Sequence, residues 1–329
     1  MQKLFIFISF LFIISCADKP VKYKKLHGNA FGTTYNITYK DGLNRDFTKQ
    51  VDSLIYLVNK SMSTYMPNSD ISKINKGDTT ILVDKLFTEV FTKSDKIYQE
   101  TEGLFDPTIG ILVNAWGFGP EKSVEKLDSI KVNELMKYVG FNKVRLKDNK
   151  IFKEYQEIYF DFNAIAKGYG IDVIGRFLET KNCKNYLIEL GGEIRARGVN
   201  SLNSEWRVAI ENPNTDGTRS VNKIVKLKNK SLASSGNYRK FKIDENGRKY
   251  VHTINAKTGF ATESDLLGAT VIVSGDCADA DGYATSFMAM GYEKSIQFLN
   301  KHPELQAYLI YIDENGSTSS FTSENLSLY

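Results

Sequence analysis

From Ile158 to the C-terminus the sequence keeps changing its apolar period, and that alternation limits the chain to a mixed α and β fold. Short segments of strand character recur at Ile158–Phe162, Tyr186–Leu190, Glu193–Gly198, Trp206–Ile210, Asn222–Lys228 and Leu266–Val273. Ala164–Leu178 and Asp279–Met290 carry helical spacing instead. Phe241–Ile243 and Tyr250–Ile254 flank Asp244-Glu245-Asn246-Gly247, a turn signal that predicts a hairpin, and a second hairpin is expected around Asp313–Gly316. Tight turns join antiparallel neighbours, so the expected class is α+β with largely antiparallel sheets.

The first half is read the same way. His27–Lys40 predicts one strand with Gly32, Thr33 and Thr34 in its middle. Val51, Leu54, Ile55, Val58 and Met62 recur at helical spacing, and a Ser- and Asn-rich loop runs from Ser63 to Gly77. Asp84 is placed to cap a helix that reaches Glu102, with Leu86, Phe87, Val90, Ser94, Ile97 and Tyr98 on its inner face and Gly103 as its stop. Phe105–Pro120 reads as a structured loop with a helical turn, and Val132–Val139 as a short helix ended by Gly140. The 329 residues suffice for one large domain or two packed ones; no Pro/Ser-rich linker divides them and no repeat appears, which favours one unit. The net charge is only +4 and the Lys and Arg are dispersed, so no basic stripe favours nucleic acid.

The N-terminus is a separate matter. Lys3 precedes an apolar run, Leu4–Ile14, broken only by Ser9. It is too short to span a bilayer with ease and fits a secretion signal. The run ends in Ile13-Ile14-Ser15-Cys16, which resembles the lipobox of bacterial lipoproteins, in which the Cys is lipidated and becomes the new N-terminus. The expectation is a signal over residues 1–16, a lipidated Cys16 holding the protein on a membrane surface, a polar tether over 17–26, and one domain over 27–329. The remaining cysteines, Cys183 and Cys277, lack metal-site spacing; they are either a disulfide or two buried thiols.

Four stretches carry chemistry. In SGDCADADGYATS, Ser274–Ser286, three carboxylates open a helix, and Asp281 and Thr285 fall on one face. A carboxylate and a hydroxyl there can hold a hard cation, or the acids can simply favour the helix start. In FDFNAIAKGYG, Phe160–Gly170, a strand-to-helix junction with Lys167 suits a phosphate, or is a capped helix with a surface lysine. In FDPTIGILVNAWGFG, Phe105–Gly119, Trp116 and Phe118 between glycines offer a flat face to a heteroaromatic ring, or plug a core. In YVHTINAKTG, Tyr250–Gly259, His252 can act as a base, or is structural.

Taken in order, GTTY at Gly32–Tyr35, MSTYMPNSDISKIN at Met62–Asn75, the motifs above, ELGGEIRARG, WRVAIENP, ASSGNYRKF, HTINAKTG and ADADGYAT resemble the ApbE family, the FAD:protein FMN transferases, over nearly the whole chain beyond the signal. The resemblance implies a T-fold-like mixed fold that holds FAD between its parts, and a magnesium-dependent transfer of FMN from FAD to a Thr or Ser hydroxyl of an acceptor flavoprotein subunit, releasing AMP. It implies Asp281 and Thr285 as magnesium ligands, with the Ala164 carbonyl. It implies Asp161, Lys167, Tyr65, Phe31, Trp116, Gly117, Phe118 and Ile254 at the FAD, and His252 as catalytic base. It also implies a cell-envelope lipoprotein on the periplasmic face of the inner membrane. Two departures stand out. Asn255 and Ala256 replace an acid and a proline common in the family, and Ala164 stands where Gly often follows the Asn. A metal-dependent FAD pyrophosphatase, a non-catalytic FAD-binding lipoprotein and a surface lipoprotein that binds glycans or partner proteins are the competing expectations.

Overall fold

A computed structural model describes residues 22–329 except 125–126, 215–217, 219, 238–240, 244–248 and 262–263, and it leaves the side chains of 241–243 and 249–250 undescribed. The signal, Cys16 and residues 17–21 of the tether therefore lie outside the described residues, as does the Asp244–Gly247 turn. In chain order, β1 (Tyr23–Ala30) and β2 (Thr33–Lys40) precede α1 (Thr48–Met62), α2 (Asp70–Asn75), α3 (Lys85–Glu100), α4 (Gly110–Ala115) and α5 (Ser129–Met136). The hairpin β3 (Val144–Lys147) and β4 (Lys150–Lys153) leads to α6 (Ala166–Thr180), β5 (Asn185–Leu190) and β6 (Glu193–Arg197). Then come the hairpin β7 (Trp206–Glu211) and β8 (Val221–Leu227), β9 (Lys230–Gly236), and the hairpin β10 (Phe241–Ile243) and β11 (Lys249–Val251). β12 (Leu266–Val273), α7 (Cys277–Met290), α8 (Tyr292–Lys301), β13 (Gln306–Ile312) and β14 (Thr318–Thr322) complete the chain.

Eight strands form one sheet in the order β1-β2-β5-β6-β9-β12-β13-β14, which is also their order in sequence, and each neighbouring pair is antiparallel. Alternation along each strand gives the sheet two faces. On one, Leu26, Tyr35, Ile37, Tyr186, Ile188 and Leu190 pack with α1 and α6. Further along that face Ala233, Ala269, Val271 and Leu309 pack with α7. On the opposite face Ile194, Leu232, Ile272, Tyr308 and Ile310 lie under the β7–β8 hairpin, whose Trp206, Val208 and Val225 cover them. Each fully buried aliphatic or aromatic side chain contributes about 1.5–3 kcal/mol.

Several expectations need correcting. His27–Lys40 is not one strand. The chain reverses at Phe31 (φ 49°) and Gly32 (φ 76°), a two-residue loop with both residues left-handed, as a tight hairpin requires. Strand-like patterning continues on both sides of the turn, so the sequence shows no polar break. β1 begins at Tyr23, so Tyr23–Leu26 belong to the sheet rather than to a tether over 17–26; Tyr23 donates to the Val199 carbonyl at 2.6 Å. The Ser63–Gly77 loop contains α2, capped by Ser69, which accepts from the Ser72 amide at 3.1 Å. Ile158–Phe162 is buried but forms no strand. Tyr159 makes one bridge to Ile109, and the Asn75 side chain satisfies both backbone groups of Phe160 at 2.8 and 2.9 Å, standing in for a ladder. β3, β4, β9 and α8 were not expected from the sequence. The Asp84 cap is present, accepting from the Phe87 amide at 2.8 Å, and Cys183 and Cys277 are two buried free thiols.

Between the two apolar clusters of the helix-covered face runs a polar seam. β6 places Glu193, Arg195 and Arg197 there, on alternate positions. Asp172 of α6, fully buried, accepts from Arg195 at 2.6 Å and from the Cys277 and Ala278 amides at 2.8 and 2.9 Å. It therefore caps α7 from a neighbouring helix. Asp276, at the cap position itself, makes no cap bond and instead meets Arg176 at 2.6 Å, Arg195 at 2.9 Å and Lys93 at 3.1 Å; Asp279 meets Lys93 at 2.9 Å. Burial lifts Asp172 to about 6 against the pull of Arg195. At Asp276 burial also pushes up, but Lys93, Arg176 and Arg195 outweigh it and hold the carboxyl at about 2. Removing one member of such a buried pair strands the other's charge. Asp172→Ala should lower the unfolding free energy by about 3–5 kcal/mol in urea titration, far more than an exposed Asp→Ala change.

Candidate active site

The site begins where α6 crosses α7. Gly168 sits at the crossing, and a β-carbon there would lie 2.5 Å from the Cys277 carbonyl oxygen, so only glycine permits this approach. The closeness lets the Gly168 amide donate to Asp281 Oδ2 at 3.0 Å. Lys167, the preceding residue, reaches across to Glu193 of β6 and forms an ion pair with Oε1. Glu193 follows a two-residue turn, Gly191 (φ 63°) and Gly192 (φ 114°), which returns β6 beside β5.

The charges at the crossing are unbalanced. Burial pushes the Asp281 carboxyl up to about 7; the Lys167 charge pulls it down and the Glu193 charge pushes it up further. Burial works against the Lys167 ammonium, yet Glu193 and Asp281 together hold it above its ordinary value. Two buried carboxylates thus share one lysine, whose side chain is 32% exposed. Thr285, one helical turn after Asp281, exchanges a hydrogen bond with Ser235 of β9 at 3.2 Å.

The other expected residues form an arc leading back to this point. Ser235 lies two residues from Asn237, whose Oδ1 accepts from Thr253 at 2.8 Å, and Thr253 follows His252. The loop beyond His252 closes on itself. Asn255 Oδ1 accepts from the Lys257 and Thr258 amides at 2.9 and 3.3 Å, so the amide does the capping that an acid at this place would do. Ile254 is buried among Leu112, Val132 and Val139 and bridges to Ala261. Trp116 donates from its indole to the Gly259 carbonyl at 2.9 Å and meets Phe260 edge-on at 6.3 Å. Gly117 follows with φ 74°, and Phe118 donates its amide to the Val113 carbonyl at 2.9 Å. The segment before Trp116 is tied to Asp161, whose amide donates to the Pro107 carbonyl at 2.8 Å. Asp161 accepts from the Asn163 amide at 2.7 Å, and burial raises its pKa. Tyr65 is largely exposed; burial, and then the charge of Asp161, raise its phenol. Ala164, half-buried, precedes Ile165 at the start of α6.

Phe31 stands on the other side of α6. Its ring lies over Gly170, where a β-carbon would come within 2.4 Å, and with Asn29, Thr33, Ile55 and Asn59 it lines an open cleft of about 570 Å³. Of four buried side-chain polar atoms without a hydrogen-bond partner among the described residues, Glu193 Oε2 belongs to the Lys167 ion pair and Asn237 Nδ2 to the residue that accepts from Thr253. Native interiors satisfy such groups, so an unpaired oxygen beside Lys167 marks a place built for something further. Glu193, Ser235 and Asn237 were not singled out from sequence; in ELGGEIRARG the alternating charges read as an ordinary solvent-facing strand.

The sequence matches the model of the ApbE family over residues 31–309. The chain belongs to the ApbE family. Among ApbE relatives, the FAD:protein FMN transferase of Haemophilus influenzae is 35% identical over 323 residues, covering 94% of this chain and 92% of that one. The protein of the same name from Vibrio cholerae is 33% identical over 303 residues, covering 90% of each. The fold agrees with that of the flavin transferase ApbE from Vibrio cholerae (TM-score 0.82, 32% identity, 93% of this chain and 98% of that one). It also agrees with the apo flavinyl transferase ApbE of Pseudomonas stutzeri (TM-score 0.81, 26% identity, 92% and 95%). The mixed, mainly antiparallel architecture expected from the sequence is thus the ApbE fold.

Gly168→Ala should push α6 off α7. It is expected to cost about 1–3 kcal/mol of stability in a denaturant titration, as overpacking does, and to weaken FAD binding by fluorescence titration as the Gly168–Asp281 contact opens.

Proposed function

We infer that this protein is a FAD:protein FMN transferase, moving the FMN half of FAD onto a hydroxyl of an acceptor protein and releasing AMP. The observation that carries this reading is the convergence of Lys167, Asp281 and Thr285 at the α6–α7 crossing, inside a chain that belongs to the ApbE family.

The residues at the crossing fit magnesium. The donors are oxygens only, Asp281 is a buried carboxylate with a hydroxyl one turn on, and Glu193 leaves a buried oxygen unpartnered. Among the described residues no three His, Cys, Asp or Glu side chains converge as ligands. Magnesium does not require such a cage, because it keeps several waters and takes one or two carboxylates plus substrate phosphates. Asp281, Thr285 and the Ala164 carbonyl are the proposed ligands. The bound ion would withdraw electron density from the pyrophosphate and stabilise the departing phosphate.

The protein's own groups account for the remainder. Lys167 places a fixed positive charge where the pyrophosphate's negative charge must be accommodated. Asp161, Tyr65, Ile254 and the Trp116–Gly117–Phe118 segment are assigned to holding the dinucleotide, with Phe31 at the margin. The acceptor oxygen attacks the FMN phosphorus while the bond to the bridging oxygen breaks, and the electron pair leaves with AMP. His252 is the proposed base that takes the hydroxyl proton. At the N-terminus, lipidation of Cys16 would hold the enzyme on the periplasmic face of the inner membrane; the apolar run and lipobox pattern support this. Among the described residues no helix is long and apolar enough to cross a membrane.

Mass spectrometry of an acceptor flavoprotein subunit incubated with FAD, magnesium and this protein should show one FMN group on a Ser or Thr, with AMP released in equal amount. Asp281→Ala should abolish that product; near-normal transfer would remove the metal assignment. Free FMN in the absence of acceptor, with no modified protein in its presence, would make the protein a hydrolase. His252→Ala should slow transfer by about 10²–10⁴-fold with FAD still bound, and an unchanged rate places the base elsewhere.

A further inference from the structure

Glu193 differs from Asp172 and Asp276 in what its second oxygen does. Asp172, packed against the same strand, uses both oxygens: Oδ1 takes Arg195 and the Cys277 amide, and Oδ2 takes the Ala278 amide. Asp276 also uses both, Oδ1 for Arg195 and Oδ2 for Arg176 and Lys93. Glu193 gives Oε1 to Lys167, but Oε2 is buried with no hydrogen-bond partner among the described residues, and the residue is 1% exposed. A purely structural ion pair is expected to satisfy both oxygens, because a buried, unpaired charged atom is costly. Its charge is felt at Asp281 as well as at Lys167, so the three side chains form one electrostatic group.

Resting on the transferase reading above, we propose that Glu193 is a positioning residue. Its Oε1 fixes the Lys167 ammonium, and its Oε2 accepts a hydrogen bond from the water shell of a divalent cation held at Asp281. Magnesium retains several waters when bound, and carboxylates just outside the ligand shell orient such ligands and raise affinity. The tight Gly191–Gly192 turn returns the chain into β6, whose first residue is this carboxylate, and α7, the helix of Asp281 and Thr285, packs against β6. The cation would then be gripped from both the helix and the sheet.

The proposal separates cation binding from dinucleotide binding. Magnesium binding to the protein without FAD is measured by calorimetry, and FAD binding without magnesium by flavin fluorescence, for the wild type, Glu193→Gln and Glu193→Asp. Glu193→Gln should weaken magnesium at least tenfold and leave FAD alone bound as well or better, because the pyrophosphate then meets one negative charge fewer. Glu193→Asp keeps the charge with a shorter reach and should fall between. Magnesium affinity within twofold of wild type in either variant overturns the proposal. So does a parallel loss of both ligands, which is the mark of a structural role, or a loss confined to FAD, which would make a FAD hydroxyl the partner of Oε2. If the Gln variant does not fold, the Asp variant decides by the same measurements. A wild type that transfers FMN while its Glu193 variants bind magnesium normally sinks this inference alone. A wild type that binds magnesium but transfers nothing sinks the functional reading alone.

Discussion

Asp172 is the hinge on which the architecture turns. One buried carboxylate ends the free amides of α7, neutralises Arg195 on β6 and belongs to α6, so helix, helix and sheet meet in a single group. Its cost is visible in its own chemistry: burial raises the carboxyl to about 6 even with a guanidinium 2.6 Å away. Such a group is poorly suited to maximising stability, since an apolar replacement of similar volume often serves as well. It suits fixing a relative position, because three directional bonds tolerate little sliding. The position it fixes is that of α7 against α6, which is also the position that sets Asp281 against Gly168.

The same strand carries both the clamp and the carboxylate proposed to position the cation. Arg195 and Glu193 are two residues apart on one face of β6, so the sheet that holds the clamp also presents Glu193 to Lys167. Rigid scaffolding of this kind gives catalytic groups fixed orientations before substrate arrives, which is where much of the barrier reduction in phosphoryl transfer originates. The loops contribute differently. The Trp116 and His252 segments are joined by the indole–Gly259 bond and the Ile254 cluster, and they are linked toward the crossing through Asn237 and Ser235 on one side and through the Pro107–Asp161 bond on the other.

Where strong local signals existed, the fold was legible in the sequence. β12 was expected at its observed bounds because Leu266–Val273 is an apolar run interrupted only by Gly268 and Thr270, and α3 because Asp84 announces its start. β9 was missed because Lys230–Gly236 is rich in Ser; its small residues serve close packing under α7, which composition does not reveal. The β1–β2 reversal was missed because Phe31 adopts a left-handed conformation that aromatic residues rarely take. Lys167, Asp281 and Thr285 were legible through motif order. Glu193 was not, since alternating Glu and Arg on a strand ordinarily signal a solvent face, and only the helices above it show that this face is covered.

That failure is itself informative. Local rules break together where β6 meets the α6–α7 crossing: charged residues lie on a covered strand face, and one of them, Glu193, has a buried oxygen with no hydrogen-bond partner among the described residues. Together they describe a site whose electrostatics are incomplete in the protein alone. Two carboxylates facing one lysine leave a surplus of negative charge beside a place proposed for a pyrophosphate, which is more negative still. Such a site takes the dinucleotide more tightly with added positive charge, so cation and FAD binding should be coupled with a positive sign, each raising the affinity of the other by the same factor.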